Sequence, residues 1–181
     1  FALALTLLLL ASSLAFSGCS ASVQGQAAEV SQEEEITETV VEAPKPIIDP
    51  LNGEVVASAE LITRRPLAVK VENDPAARPQ SGLIDAETVI EELVEGGVTR
   101  FICFFLANES PALGPNRSVR PSDIDITYYL QPLLICSGGA PQVMAMVKQS
   151  GLAYLEEDGT HFWRDRKRSA PHNLYTNTEK L

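Results

Sequence analysis

The sequence predicts an α/β domain, a mixed sheet with flanking helices, preceded by a signal peptide and a disordered tether. Three observations carry that prediction. Pro66 to Glu72 (PLAVKVE) places β-branched residues in a period-two pattern and closes on the turn Asn73-Asp74-Pro75, which defines a strand. Thr88 to Glu95 and Thr99 to Leu106 are two more strand-like runs, and Gly96-Gly97 between them signals a hairpin. Leu133 to Cys136 is a short apolar run entering Gly138-Gly139, followed by a helix over Pro141 to Gln149 with Pro141 at its first position and Gly151 as its C-cap. A further helix is expected over Ser122 to Leu130, with Pro121 before it, Ser122 as N-cap and Pro132 as its stop. A hairpin combined with strand–helix alternation requires at least four strands in one mixed sheet.

The folded part is preceded by two segments of different composition. Phe1 to Gly18 contains no Asp, Glu, Lys or Arg, opens without Met and reads as an interrupted secretory signal. Its end, Phe16-Ser17-Gly18-Cys19, is similar to a bacterial lipobox, in which small residues precede a cysteine that is acylated. Cys19 is thus the expected lipidation site, and several acyl chains on one cysteine hold a protein stably on a membrane. Residues 19–48 are the expected tether, with six glutamates against Lys45 and no aromatic residue, too polar to repay the entropy of ordering. The domain is expected over 49–181, long enough for one core. The ending TNTEKL resembles the first turn of a further helix, so the chain is expected to continue beyond Leu181.

The whole chain carries 14 Lys and Arg against 24 Asp and Glu, and half of the excess lies in the tether. The mild acidity left in the domain argues against nucleic acid as a partner. There is no H-E-x-x-H, no C-x-x-C, no Walker loop and no G-x-S-x-G, so neither a metal site nor a cofactor is expected. Cys103 and Cys136 lie in apolar strands and are expected as buried thiols, with a disulfide dependent on strand geometry.

Five blocks carry a resemblance. DPLNG (Asp49 to Gly53) precedes RRPLAVKVENDPAARPQSGL (Arg64 to Leu83), then come EELVEGGVTRF (Glu91 to Phe101), GPNRSVRPSDID (Gly114 to Asp125) and FWRDRKRSAPHNLYT (Phe162 to Thr176). Together they resemble the YerB-like family of bacterial lipoproteins and cover most of residues 49–181. The resemblance implies a lipid-anchored protein on the outer side of the cell membrane and a second, C-terminal domain that this sequence does not contain. It implies no activity, because the family is described as a domain of unknown function.

The chemistry of these blocks has to be read from the residues. Glu91 and Glu95 would share one face of a strand about 13 Å apart. Paired glycosidase carboxylates lie about 5 to 9.5 Å apart, so a catalytic partner would come from Glu72, Asp74, Asp123 or Asp125. The bland alternative pairs Glu91 and Glu95 with Arg100, Arg117 or Arg120. Those arginines, with Arg78, suit planar carboxylate or phosphate groups if they converge. Trp163, Arg164, His172 and Asn173 form the densest polar and aromatic block, in which His172 is either an acid/base or a loop anchor, and His161 is surface. Two functions follow as expectations. One is a lipid-anchored protein binding a cell-wall glycan, an anionic polymer or an envelope protein through Arg78, Arg100, Arg117, Arg120, Trp163, Arg164, His172 and Asn173. The other is a peptidoglycan hydrolase using Glu91 or Glu95 with Asp123 or His172.

Overall fold

The computed structural model describes residues 44–181. The signal peptide, Cys19 and most of the tether lie outside the described residues. Strands β1 (Ile47–Ile48) and β2 (Val55–Val56) pair antiparallel, with β1 just ahead of Asp49. The central sheet contains β3 (Leu67–Glu72), β4 (Thr88–Leu93), β5 (Thr99–Phe105), β6 (Leu133–Cys136) and β7 (Ala153–Glu156), in spatial order β4-β5-β3-β6-β7. β3 is antiparallel to β5 and parallel to β6, and β6 is parallel to β7. The sheet is therefore mixed, as the sequence predicts. Two helices, α1 (Pro121–Thr127) and α2 (Pro141–Ser150), and a small pair, β8 (Trp163–Arg164) with β9 (Leu174–Tyr175), complete the fold. No helix among the described residues is long and apolar enough to cross a membrane.

Strand β3 is buried along its whole length because both faces of the sheet are covered. On one face Leu67, Val69 and Val71 meet Cys103, Phe105, Leu113, Phe162 and Leu174. On the other, Ala68 meets Ile102, Phe104, Val119 and Leu134, and α2 lays Val143, Met144 and Val147 over them. Lys70 and Glu72 alternate onto this second, helix-covered face, an arrangement that decides the polar chemistry of the domain. The two cysteines belong to opposite faces, so no disulfide joins them; both thiols are free and buried. Burial pushes Cys103 up to about 12 and Cys136 up to about 11, which keeps both protonated and poor nucleophiles.

Several elements differ locally from expectation. β4 stops at Leu93 because Val94 N–H donates to the Val98 carbonyl at 2.9 Å and Glu95–Gly97 forms a 3-10 turn with positive φ at both glycines. Glu95 consequently sits in the turn and does not share a strand face with Glu91. α1 begins one residue earlier than expected: Pro121 occupies the first position, Arg120 is the N-cap, and the Asp123 carboxylate accepts the Arg120 N–H at 2.6 Å. Ser122 is therefore free to bond elsewhere. Tyr128–Leu130 forms a 3-10 turn closed by Gln131 in the left-handed region, before Pro132 is reached. α2 matches its expected start and its Gly151 cap at φ +77°. The glycines between β6 and α2 act differently: Gly138 supplies φ +99°, whereas a Cβ on Gly139 would meet Val119 Cγ1 at 2.8 Å. The closing TNTEKL run forms only a 3-10 turn, Thr178–Lys180.

Truncating the core should show its weight. Phe104, 1% exposed, sits between β4 and β3, and Phe104→Ala is expected to lower unfolding free energy by about 3–5 kcal/mol in urea denaturation. Tyr129→Ala, at a residue 91% exposed, should change it by no more than about 0.5 kcal/mol.

Candidate functional site

The functional region is built where β3 and β6 reach their C-terminal ends. The parallel pair is hydrogen-bonded only over Leu67–Val69 and Leu133–Ile135. Beyond that, the segment from Pro115 to Val119 runs between the two strands. Glu72 N–H donates to the Pro115 carbonyl at 2.9 Å and Arg117 N–H to the Lys70 carbonyl at 3.1 Å, while Ser137 N–H donates to the Arg117 carbonyl at 3.0 Å. This wedge carries Arg117 and delivers Arg120 to the start of α1. Crevices at the carboxyl ends of parallel strands are where open α/β sheets bind ligands.

A chain of charged groups spans the helix-covered face. Lys70, wholly buried, donates to Glu92 on β4 and, at 2.6 Å, to Asp123 Oδ1 on α1. Ser122 Oγ donates to the other Glu92 oxygen at 2.7 Å. Burial drives Glu92 upward, but the hydrogen bonds from Lys70 and Ser122 outweigh it and hold the carboxyl below its usual range. Burial dominates at Asp123 and raises it from 3.8 to about 6, with Lys70 opposing the rise. At the end of β3, Glu72 is buried between Arg117, whose Nε lies 2.8 Å away, and His172, whose Nδ1 lies at 2.9 Å. The Arg117 contact is an ion pair without hydrogen-bond alignment.

Arg100 faces Glu72 across one strand boundary and Glu92 across the other, yet its guanidinium donates to the Ser118 carbonyl. Burial, and then the positive charges of Arg120 and Arg117, push it below the usual arginine value while leaving it a cation. Arg120 Nε bonds Glu95 Oε2 at 2.7 Å, and the hydrogen bond from Arg120 holds the Glu95 carboxyl down. Arg100, Arg117 and Arg120 therefore share one end of the sheet.

The other sequence-predicted residues are divided among neighbouring positions. Arg120 and Glu95 line a cavity of about 420 Å³ with Ser118 and the start of α2. His172 and Arg78 line a separate one of about 350 Å³ with Arg168 and Ser169. Glu91 accepts from Thr99 Oγ1 and Asn73, with no arginine on it. Asp123 is buried on the inner face of α1, Asp125 is exposed, and Asp74 caps a 3-10 turn through the Ala76 N–H. Arg164 clamps Glu157 at 2.8 Å and bonds Asn173, whose amide also donates to the Asp165 and Arg168 carbonyls, so Asn173 fastens its own loop. Trp163 is half-buried and stacks on Tyr175 at 6.2 Å, above a buried Tyr175. His161 pairs with Asp158 at the surface. Sequence reasoning missed Lys70 and Glu92; the one available signal was a lysine inside an apolar strand.

The fold and site thus define a mixed α/β domain with an arginine-lined edge. The chain belongs to the family described as protein of unknown function (DUF3048), N-terminal domain, which matches residues 51–181. It is 35% identical over 147 residues to "Putative lipoprotein YerB" of Bacillus subtilis (strain 168), covering 80% of this chain and 44% of that protein. The crystal structure of YerB from Bacillus subtilis superposes with a TM-score of 0.68 at 36% identity, covering 74% of this chain and 47% of that one. The chain thus spans less than half the length of the relative it matches.

Two outcomes test the buried cluster. Lys70→Met should destabilise the domain by about 3–5 kcal/mol, because it strands Glu92 and Asp123 as buried charges without a counter-ion. Asp123 binds its proton more tightly folded than unfolded, so its contribution makes stability fall as pH rises from about 4 to 6. Denaturation of wild type and Asp123→Asn across that window should show the variant gaining relative to wild type as pH rises; a constant difference would contradict the raised pKa.

Proposed function

We propose that this protein is a lipoprotein anchored by acylated Cys19 on the outer side of the cell membrane, and that its domain binds anionic groups of an envelope polymer at Arg100. The observation that carries this reading is a half-buried guanidinium bonded to a main-chain carbonyl, with no carboxylate on it and two more arginines beside it. Carboxylates and phosphates fit the planar guanidinium fork. Arg117 and Arg120 already hold Glu72 and Glu95, so they contribute field and orientation while Arg100 supplies the open donors. An acidic tether, repelled by an anionic membrane face, would carry the site outward into the wall. Glu91, Glu95, Asp123 and His172, the residues of the hydrolase alternative, stand apart from one another, and the carboxylate that His172 meets is Glu72, already ion-paired with Arg117.

The test uses the chain from Ser20 to Leu181, without the apolar leader and the acylated cysteine, titrated calorimetrically with carboxylate-bearing peptidoglycan fragments and with poly(glycerol phosphate). Binding to one of them should weaken about 10-fold or more in Arg100→Gln and fall with added salt. Binding to neither, or binding indifferent to Arg100, would overturn the assignment. Palmitate labelling of the natural chain, absent from Cys19→Ser, is the companion result expected for the anchor.

A further inference from the structure

The DPLNG block lies away from the arginine edge and the reading above makes no use of it. It forms the loop of the β1–β2 hairpin. Asp49 N–H donates to the Glu54 carbonyl at 2.8 Å, Gly53 N–H donates to the Asp49 carbonyl at 2.9 Å, and Gly53 turns the chain at φ +80°. The register Ile48↔Val55 sets Asp49 directly opposite Glu54. Two acids facing each other across a strand pair repel, so the arrangement is unfavourable without a cation.

Asp49 is the second observation. It is 1% exposed, and its Oδ1 accepts the Leu51 N–H at 2.7 Å, while its buried Oδ2 has no hydrogen-bond partner. Among the described residues no Lys, Arg or His pairs with Asp49 or Glu54. Arg64, which bonds the main chain of Asn108, directs its donors to the Leu106 and Asn108 carbonyls. A buried carboxylate oxygen left unpaired costs several kcal/mol, which nothing in the hairpin repays. Asp49 lines a cavity of about 210 Å³ together with Asn52, Glu54 and Asn108, so the oxygen-bearing side chains around it come from the loop and from the end of β5. Asn52 Oδ1 accepts the Glu54 N–H at 2.9 Å and keeps a second lone pair, and Asn108 uses its amide N–H on the Asp85 carbonyl, leaving its oxygen free.

From this geometry we infer that the hairpin loop is a divalent-cation site for Ca²⁺, held by Asp49, Glu54 and amide oxygens of Asn52 and Asn108. The donors are all hard oxygens on an irregular loop, which suits the flexible coordination of Ca²⁺ over the strict octahedron and tenaciously held waters of Mg²⁺. His and Cys take no part, so the absence of zinc-type motifs does not bear on it; no group of three or more His, Cys, Asp and Glu assembles among the described residues. With two carboxylates the affinity belongs to the weak, extracellular range, about 0.1–1 mM. Bound Ca²⁺ would neutralise the facing acids and tie the hairpin to the β5 end of the sheet, independently of any ligand at Arg100.

The experiment takes the same Ser20–Leu181 chain, stripped with EDTA and dialysed, and titrates CaCl2 by calorimetry alongside thermal unfolding. One saturable site in the stated range is expected, with Tm rising by about 4–12 °C at 10 mM CaCl2. Glu54→Gln, at an exposed residue that leaves folding intact, should weaken binding about 10-fold, and Asp49→Asn should abolish it. MgCl2 should bind at least about 10-fold more weakly. No saturable heat and no Tm shift would mean that the loop holds no cation and would overturn the inference; so would binding unchanged in Glu54→Gln, or equal affinity for Mg²⁺.

Discussion

The buried ammonium of Lys70 holds the polar half of this domain together. It sits at the middle of the central strand and reaches Glu92 on β4 and Asp123 on α1, so one positive charge joins sheet and helix. Burying a lysine costs several kcal/mol unless its charge is matched and its donors are used. Two carboxylates match it, and Ser122 and the Arg120 N–H occupy the outer oxygens of those carboxylates. Satisfying the lysine thereby fixes where α1 starts. That in turn sets Arg120 and the end of the wedge from Pro115 to Val119.

The arginine edge depends on the same arrangement. Because the wedge separates the C-terminal ends of β3 and β6, this end of the sheet carries the wedge's Arg117 and, at the start of α1, Arg120. Glu72 closes one side by holding Arg117 and His172, and Glu95 closes the other by holding Arg120. Arg100 between them keeps only a carbonyl. The pattern combines fixed cations with one open donor set, the arrangement that gives an anion site both orientation and attraction. It rests on a rigid five-stranded sheet, which favours positional precision over adaptability.

The fold was largely legible in the sequence. Period-two patterning found β3, β4 and β5, the double glycine found the hairpin, and Pro141 with Gly151 bracketed α2 almost to the residue. Misplacements came at boundaries decided by competition between neighbours. Ser122 has the right chemistry for an N-cap, but Pro121, lacking an N–H and fixed in φ, claims the first helical position and moves the cap to Arg120. Glu95 continues the strand pattern by composition, yet two consecutive glycines at positive φ follow it and draw it into the turn. The site was legible in its ingredients, since Arg100, Arg117, Arg120 and His172 all stand near one sheet end, but not in its partners.

By itself the sequence determined the class of fold, the family, the lipobox-like cysteine and the residue types available for chemistry, because these rest on local pattern and composition. Only the tertiary structure decided which charges are buried. In PLAVKVE, Lys70 and Glu72 alternate as a solvent-facing pair would, and what makes them interior is the cover laid over that face by α1, α2 and the wedge, elements that lie tens of residues away. Long-range pairing likewise assigned Glu72 to His172 across a hundred residues of chain and left Asp49 Oδ2 without a partner. Burial and charge matching are properties of the assembled surfaces, and no local spacing encodes them.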